Sequence, residues 1–200
     1  MSAEFLITLG SKTDIEGAFT GLYVGGRNEP RIAMIGRSNV GKSSLINALV
    51  GARVARISKQ PGKTRSLHLY YWKEASKIIV DLPGYGFAKV AKTEQARWSE
   101  FIGLYLKADK GLELALMLLD ARHGPTALDE EAIRFLSFKG IPVIFILTKV
   151  DALKNQSERV KRGREVEARL AELGLKDVSQ FWVSAQSKEG LKDLARALGG

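Results

Sequence analysis

The chain reads as a three-layer α/β fold: a six-stranded, mostly parallel sheet with one antiparallel strand and helices on both faces. Three observations carry that expectation. Short apolar runs, too brief for helices, alternate with longer stretches whose apolar residues recur at helical spacing. The run at 32–35 enters a glycine-rich turn at 36–43 and then a helical segment at 44–49, the order of a phosphate-binding loop. Runs 66–72 and 77–81 are joined only by Lys73, Glu74, Ala75 and Ser76, a turn so short that the two strands must be antiparallel.

Taken in order, residues 1–29 are weakly patterned. Phe5 to Leu9 can form a strand, and Gly25, Gly26, Arg27 and Asn28 are turn formers. Residues 1–29 are therefore read as an N-terminal extension packed on a domain spanning 30–200. Gly36, Arg37, Ser38, Asn39, Val40, Gly41, Lys42 and Ser43 satisfy G-x-x-x-x-G-K-[ST]. Glycine lets the backbone turn sharply enough for successive N–H groups to converge on phosphate oxygens, and the helix N-terminus adds partial positive charge. Ordinary residue usage gives this pattern by chance in about one such chain in a hundred. With the strand before it and the helix after it, the loop is read as nucleotide-binding. Lys42 then reaches the β- and γ-phosphates, and the Ser43 hydroxyl ligates Mg²⁺.

Residues 53–65 are polar and basic around Pro61 and Gly62, a loop composition. The strand at 77–81 ends on Asp81, with Leu82, Pro83 and Gly84 following. A carboxylate there can hold Mg²⁺ through a water, and the Gly84 N–H can bond a γ-phosphate oxygen for as long as that phosphate exists. Trp98, Phe101, Ile102 and Tyr105 mark a helix, and 112–119 is an apolar central strand running up to Asp120. Thr126 and Asp129 form a capping box for a helix that Gly140 stops.

A further strand at 142–147 delivers Thr148, Lys149, Val150 and Asp151. Asp151 can accept hydrogen bonds from guanine N1–H and its 2-amino group. Adenine offers an acceptor at N1 and no 2-amino group, so it leaves the carboxylate unsatisfied. The aliphatic stem of Lys149 can cover the base. A charged helix at 157–173, a short strand at 181–183 and a helix through Leu191, Leu194, Ala195 and Leu198 complete the chain. Ser184 and Ala185 follow that last strand, where the Ala185 N–H can meet guanine O6. In such folds ligands sit at the carboxyl ends of the strands, and every motif above falls there.

Composition narrows the setting. With no cysteine, disulfides and thiolate metal sites are excluded, which fits a reducing compartment. The longest apolar runs fall far short of a membrane span, and Glu4 without a basic N-terminal region argues against a secretory signal, so the cytoplasm is expected. The net charge of +9 suggests a polyanionic partner beyond the nucleotide. His68 and His123 stand apart with no metal-ligand spacing, and Trp72, Trp98 and Trp182 sit in strand or helix patterns; all five are expected to be structural.

The motifs stand in the order of the translation-factor-related P-loop GTPases, and their wording resembles the bacterial EngB family of ribosome-biogenesis GTP-binding proteins. Four stretches carry the likeness: 36–47, 61–65, 81–89 and 120–126. The resemblance implies a GTPase domain over 30–200 that binds GTP or GDP with Mg²⁺ and hydrolyses GTP to GDP and phosphate. It further implies a nucleotide-dependent switch in assembly of the large ribosomal subunit, needed for normal cell division and septation.

For the site, the resemblance implies catalytic roles for Lys42, Thr64 and Gly84, and Mg²⁺ ligands at Ser43, Thr64 and Asp81. Nucleotide contacts extend over Gly36, Arg37, Ser38, Asn39, Val40, Gly41, Lys42, Ser43, Ser44, Gly62, Lys63, Thr64, Arg65, Asp81, Leu82, Pro83 and Gly84. On the base side they are Thr148, Lys149, Val150, Asp151, Val183, Ser184 and Ala185. Asn39 matches a P-loop asparagine that some bacterial relatives use with K⁺. Tyr85 stands where many regulatory GTPases place a water-orienting glutamine, so slow intrinsic hydrolysis, stimulated by a partner, is expected. The implied partners are the large ribosomal subunit and ribosomal RNA, with no DNA and no membrane, and the protein is expected to be a monomer. Arg53, Arg56, Lys59, Lys63 and Arg65 crowd the first switch, Lys89 and Lys92 follow the second, and Arg159, Lys161, Arg162 and Arg164 mark a late helix. Two other readings stay open: a P-loop phosphotransferase, for which no acceptor site or lid is visible, and an RNA-binding module in which guanine nucleotide is structural.

Overall fold

The computed structural model describes residues 3–19, 24, 26–56, 66–86 and 92–199; of residues 92–95 and 97 it describes the backbone only. In chain order the elements are β1 (Ala3–Leu9), α1 (Lys12–Ala18), β2 (Arg31–Gly36), α2 (Lys42–Val50), β3 (Leu67–Trp72) and β4 (Lys77–Asp81). Then come α3 (Lys92–Ala108), β5 (Leu112–Asp120), α4 (Ala127–Phe138), β6 (Val143–Thr148), a 3₁₀ turn (Val150–Ala152), α5 (Gln156–Glu172), β7 (Gln180–Trp182) and α6 (Leu191–Ala197). One sheet holds all the strands in the order β1-β3-β4-β2-β5-β6-β7.

The sheet has seven strands, not the expected six. The extra one is β1, which pairs antiparallel with β3 from Ala3↔Trp72 to Leu9↔Leu67, with a bulge between Phe5 and Ile7. Without it, the outer row of β3 backbone donors and acceptors would form an open edge. Side chains reinforce the pairing: Phe5 packs edge-on against Tyr70 at 5.8 Å, and Thr8 Oγ1 bonds His68 Nδ1 at 2.9 Å. His68 is thus structural. The single expected antiparallel strand is β3, which opposes both β1 and β4, while β4, β2, β5, β6 and β7 run parallel.

Both sheet faces are covered, which is why the central strands are apolar throughout. Alternate residues divide between the faces. Ala33, Ile35, Val80, Met117 and Phe145 pack with Ile15 of α1, Ile102 and Tyr105 of α3, Ile133 and Leu136 of α4, and Val166 and Leu170 of α5. Ile32, Met34, Ile79, Leu116 and Ile146 pack with Leu45, Ile46 and Leu49 of α2 and with Leu191 and Leu194 of α6. Trp72 is buried, and Trp98 and Trp182 are partly buried against the face that holds Ile102 and Val166.

The two ends of the sheet differ in chemistry. At the amino ends of β2 and β5, Arg31 and Asp109 form a fully buried ion pair at 2.5 Å, and the Asp109 carboxylate also accepts from the Gly111 N–H at 3.0 Å. Phe19 meets Tyr105 edge-on at 5.4 Å beside them, joining the chain after α1 to α3. The carboxyl ends of β2, β4, β5, β6 and β7 open on the opposite rim, where the sequence motifs gather.

Candidate active site

β2 delivers Gly36 to the rim, and the chain turns through Arg37, Ser38, Asn39 and Val40 before α2 begins at Lys42. The turn needs unusual backbone angles: Asn39 has φ +62° and Gly41 φ +109°, the latter a region that side chains resist. Gly41 is also the N-cap, so no side chain caps the first turn of α2. A helix start of this kind presents its N–H groups and positive dipole end to an anion.

Lys42 and Ser43 open that helix and meet the end of β4. Lys42 Nζ donates to Gly36 O at 3.1 Å, and burial holds its ammonium below the usual range while Asp81 opposes. Ser43 Oγ lies 3.5 Å from Asp81 Oδ2. Asp81 Oδ1 is buried with no hydrogen-bond partner among the described residues. Burial pushes this carboxyl up to about 6, against Lys42 and the Ser43 hydroxyl. An orphaned buried carboxylate oxygen beside a serine hydroxyl is a donor set that suits a hard cation such as Mg²⁺. Thr64, with Gly62, Lys63 and Arg65, lies outside the described residues.

The second loop lies against the first. Leu82 and Pro83 are buried. Gly84 approaches so closely that a Cβ there would stand 2.9 Å from both Lys42 Nζ and Ser38 N. Only glycine fits. The Ser38 N–H donates to Tyr85 O at 2.8 Å, and Arg37 and Tyr85 form an isolated parallel bridge. The Tyr85 side chain turns away from the rim: its hydroxyl donates to Asp129 Oδ1 at 2.7 Å, and its ring meets Trp98 edge-on at 5.1 Å. Trp98 in turn donates to Pro83 O at 2.7 Å.

The base-side residues are bonded to the same P-loop. Thr148 Oγ1 lies 2.7 Å from Val40 O and 3.1 Å from Leu119 O, so its hydroxyl fastens the P-loop to β5. Lys149 adopts φ +60° and sends Nζ to Asn39 O at 2.6 Å and to Asp120 Oδ2 at 2.8 Å. Val150 is buried and donates its N–H to Val183 O at 3.4 Å, which brings the 148–151 and 183–185 loops together. Ser184 is fully buried, its Oγ accepting from the Gln186 and Ser187 N–H groups at 3.1 and 2.9 Å, and Ala185 sits half-buried after it. Asp151 is exposed on the 3₁₀ turn. Ser44 follows Ser43 on the half-buried first turn of α2.

Four separated segments of the described chain therefore meet on one rim. Asp120 joins them in a role the sequence does not show: it ends a strand and opens the 120–126 stretch, and the strand order places it beside Lys149. The expected basic surface is reduced. Arg159 pairs with Glu189 at 2.5 Å, Arg162 with Glu165 at 2.6 Å, and Lys161 with Glu165 at 4.0 Å. Arg53 and Arg56 are exposed, whereas Lys59, Lys63, Arg65 and Lys89 and the Lys92 side chain lie outside the described residues.

Comparison with known proteins follows the same lines. Residues 31–149 match the domain family described as "50S ribosome-binding GTPase". A probable GTP-binding protein EngB from Petrotoga mobilis is 41% identical over 172 residues, 86% of each chain. Its counterpart from Aquifex aeolicus is 38% identical over 166 residues, covering 82% of this chain and 87% of the relative. Among solved structures, a probable GTP-binding protein EngB superposes with a TM-score of 0.63 at 31% identity, over 83% of this chain and 95% of that one. A variant of Aquifex aeolicus Era bound to GDP and AlF₄⁻ gives a TM-score of 0.67 at 27% identity, over 84% of this chain and 55% of that one.

Proposed function

The chain belongs to the EngB family of P-loop GTP-binding proteins, and from that premise we propose that it is a nucleotide-dependent switch in assembly of the large ribosomal subunit. One observation carries the site assignment: the P-loop is hydrogen-bonded to both the Asp81–Tyr85 segment and the 148–151 segment. A single guanosine phosphate can therefore touch all of them.

The reaction is GTP + H₂O → GDP + phosphate. Water attacks the γ-phosphorus in line, the bond from that phosphorus to the β–γ bridging oxygen breaks, and the water's protons pass to phosphate. Lys42 leaves Gly36 O and donates to β- and γ-phosphate oxygens. The P-loop N–H groups, from Gly36 through Ser44, cradle the same phosphates. Ser43 and Asp81, with Thr64, would hold Mg²⁺, which when bound neutralises charge developing on the transferring phosphoryl group. The Gly84 N–H bonds the γ-phosphate and loses that partner on hydrolysis, releasing Leu82 and Pro83 with it. Gly62, Lys63 and Arg65 flank Thr64 in the first switch. Thr148, Lys149, Val150 and Asp151, with Val183, Ser184 and Ala185, enclose the base; Asp151 accepts from N1–H and the 2-amino group, and the Ala185 N–H meets O6. Lys42, Thr64 and Gly84 carry the catalysis. With Tyr85 bonded into the core, nothing at that position orients water, which supports slow intrinsic turnover completed on the ribosome.

Residues 30–200 form the GTPase domain and 1–29 an extension whose β1 completes the edge of its sheet, acting as a cytoplasmic monomer on ribosomal RNA. Among the described residues no helix is long and apolar enough to cross a membrane. The same reading includes a need for the protein in normal cell division and septation. K⁺ held near Asn39 belongs to the same reading, and equal turnover in Na⁺ and K⁺ would remove it.

Titration with mant-GDP and mant-ATP, with phosphate release followed with and without large ribosomal subunits, tests the whole. Selective guanine binding and subunit-stimulated release are expected. A phosphotransferase would instead need an acceptor, and a structural nucleotide would show no release. The base assignment has its own test: Asp151→Asn should exchange guanine preference for xanthine, because an amide can donate to the 2-oxo group. Undiminished GTP affinity in that variant would overturn it.

A further inference from the structure

Asp120 ends β5 directly opposite Thr148 at the end of β6. That register puts its carboxylate beside the residue that follows, Lys149. Asp120 Oδ2 takes hydrogen bonds from Lys149 Nζ at 2.8 Å and from Arg122 Nη2 at 2.7 Å; Oδ1 takes them from Arg122 Nε at 2.9 Å and from the Arg122 N–H at 3.1 Å. The Asp120 side chain is 11% exposed, against 44% for Arg122 and 31% for Lys149, so the carboxylate is drawn in while its charge-assisted partners stay partly in water. Burial alone would raise this carboxyl, yet the Arg122 and Lys149 bonds outweigh it and hold the group well below the usual carboxylate range.

Both cations matter to the base site. Lys149 is stretched between Asp120 and the P-loop carbonyl of Asn39, which fixes the course of its aliphatic stem. Arg122 shares the Oδ2 atom with Lys149, and its guanidinium also feels Asp151. Its backbone cannot carry it elsewhere, because Arg162 Nη2 donates to Arg122 O at 2.7 Å and Nη1 to His123 O at 3.2 Å. An Arg122 released from Asp120 would remain in place with Asp151 as the other carboxylate acting on it.

We propose that Asp120 is a positioning residue for guanine recognition: its carboxylate holds Lys149 along the base site and occupies Arg122, leaving Asp151 free to accept from guanine. The inference rests on the assignment of 148–151 as the base loop. It makes Asp120 act through two other side chains without touching the nucleotide.

A suppressor experiment separates this role from simple support of the fold. D120N keeps the shape and removes the charge, and its mant-GDP affinity should fall about tenfold or more, the scale of one charged hydrogen bond. R122A should lose less than about threefold, because it removes the competitor together with two bonds on the Asp120 carboxylate but leaves Lys149 Nζ on Oδ2. The double variant D120N/R122A should recover most of the loss. The loss in D120N should also shrink with added salt, which screens a new Arg122–Asp151 pair. If the double variant binds no better than D120N, Arg122 does not compete for Asp151 and the inference fails. Thermal midpoints of each variant are read alongside, and D120S with its R122A double repeats the comparison should D120N not fold. The base assignment is judged separately by the xanthine preference of Asp151→Asn. A switched preference with no rescue by R122A sinks only the role of Asp120.

Discussion

The Tyr85 hydroxyl donates a hydrogen bond to Asp129 Oδ1, and Asp129 Oδ2 in turn accepts from the Thr126 N–H at 2.8 Å and from Thr126 Oγ1 at 2.7 Å. One carboxylate therefore fastens the segment after Gly84 to the start of α4. Tyr85→Phe leaves a buried acceptor unsatisfied and should cost about 1–3 kcal/mol in urea unfolding. Turnover, measured by phosphate release, should change by less than about threefold, since the phenol bonds none of the reacting groups. A large fall in turnover with stability intact would assign Tyr85 to the chemistry. Burial, with Asp129, raises the Tyr85 hydroxyl well above its ordinary value, and burial with Asp109 does the same for Tyr105. The folded state therefore keeps both protons where the unfolded chain loses them. Stability should hold below the ordinary tyrosine value of 10.0 and fall as pH rises above it. Unfolding free energy measured across that range, with tyrosinate absorbance, checks the sign. At this scale Lys42 and Asp151 are legible in the sequence because the spacing that identifies each lies within one loop. Thr148 becomes intelligible only with its distances: its hydroxyl reaches Val40 O and Leu119 O and so fastens the P-loop to β5. Asp120 is not legible, because Lys149 reaches it from a neighbouring strand.

At the level of elements, what can be read depends on how local the signal is. The helix α4 begins at its Thr126 cap and stops before Gly140, which adopts φ +67°. Those signals are contiguous in sequence. The helix α1 does not stand out even though it carries a comparable one: Ser11 Oγ accepts from the Asp14 N–H at 3.0 Å, and Asp14 Oδ2 accepts from the Ser11 N–H at 2.8 Å. Its seven residues are too few for a periodicity to show, and only Ile15 and the nearby Phe19 are buried. The strand β1 is legible as a segment capable of pairing, but its partner is not, since Ala3 meets Trp72 across the whole P-loop portion of the chain. Removing residues 1–10 takes Leu9 from the core and bares the edge of β3. The truncated protein should melt at least about 5 °C lower and self-associate in light scattering. An unchanged midpoint and a monomeric mass would show β1 to be dispensable.

Across the whole molecule, 31 basic residues against 22 acidic ones give an excess of positive charge, yet much of the late helix is spent on internal ion pairs. On the proposed reading, affinity for ribosomal RNA should fall linearly in a plot of log affinity against log salt. Charge-neutralising substitution of Arg53 or Arg56 should each lower that slope by about one unit, the effect of one fewer cation on the RNA backbone. Substituting Arg162, already bonded to Glu165 and to two carbonyls, should leave the slope unchanged. The layered fold itself is legible from the alternation of strand and helix, whereas the edge of the sheet is not, because edges are decided by distant pairing. That distant pairing sets a timetable for biosynthesis. Strand β1 must wait for Leu67 to Trp72 to be made before it can dock, so a nascent protein carries β1 unpaired while the segments up to β3 are still being translated.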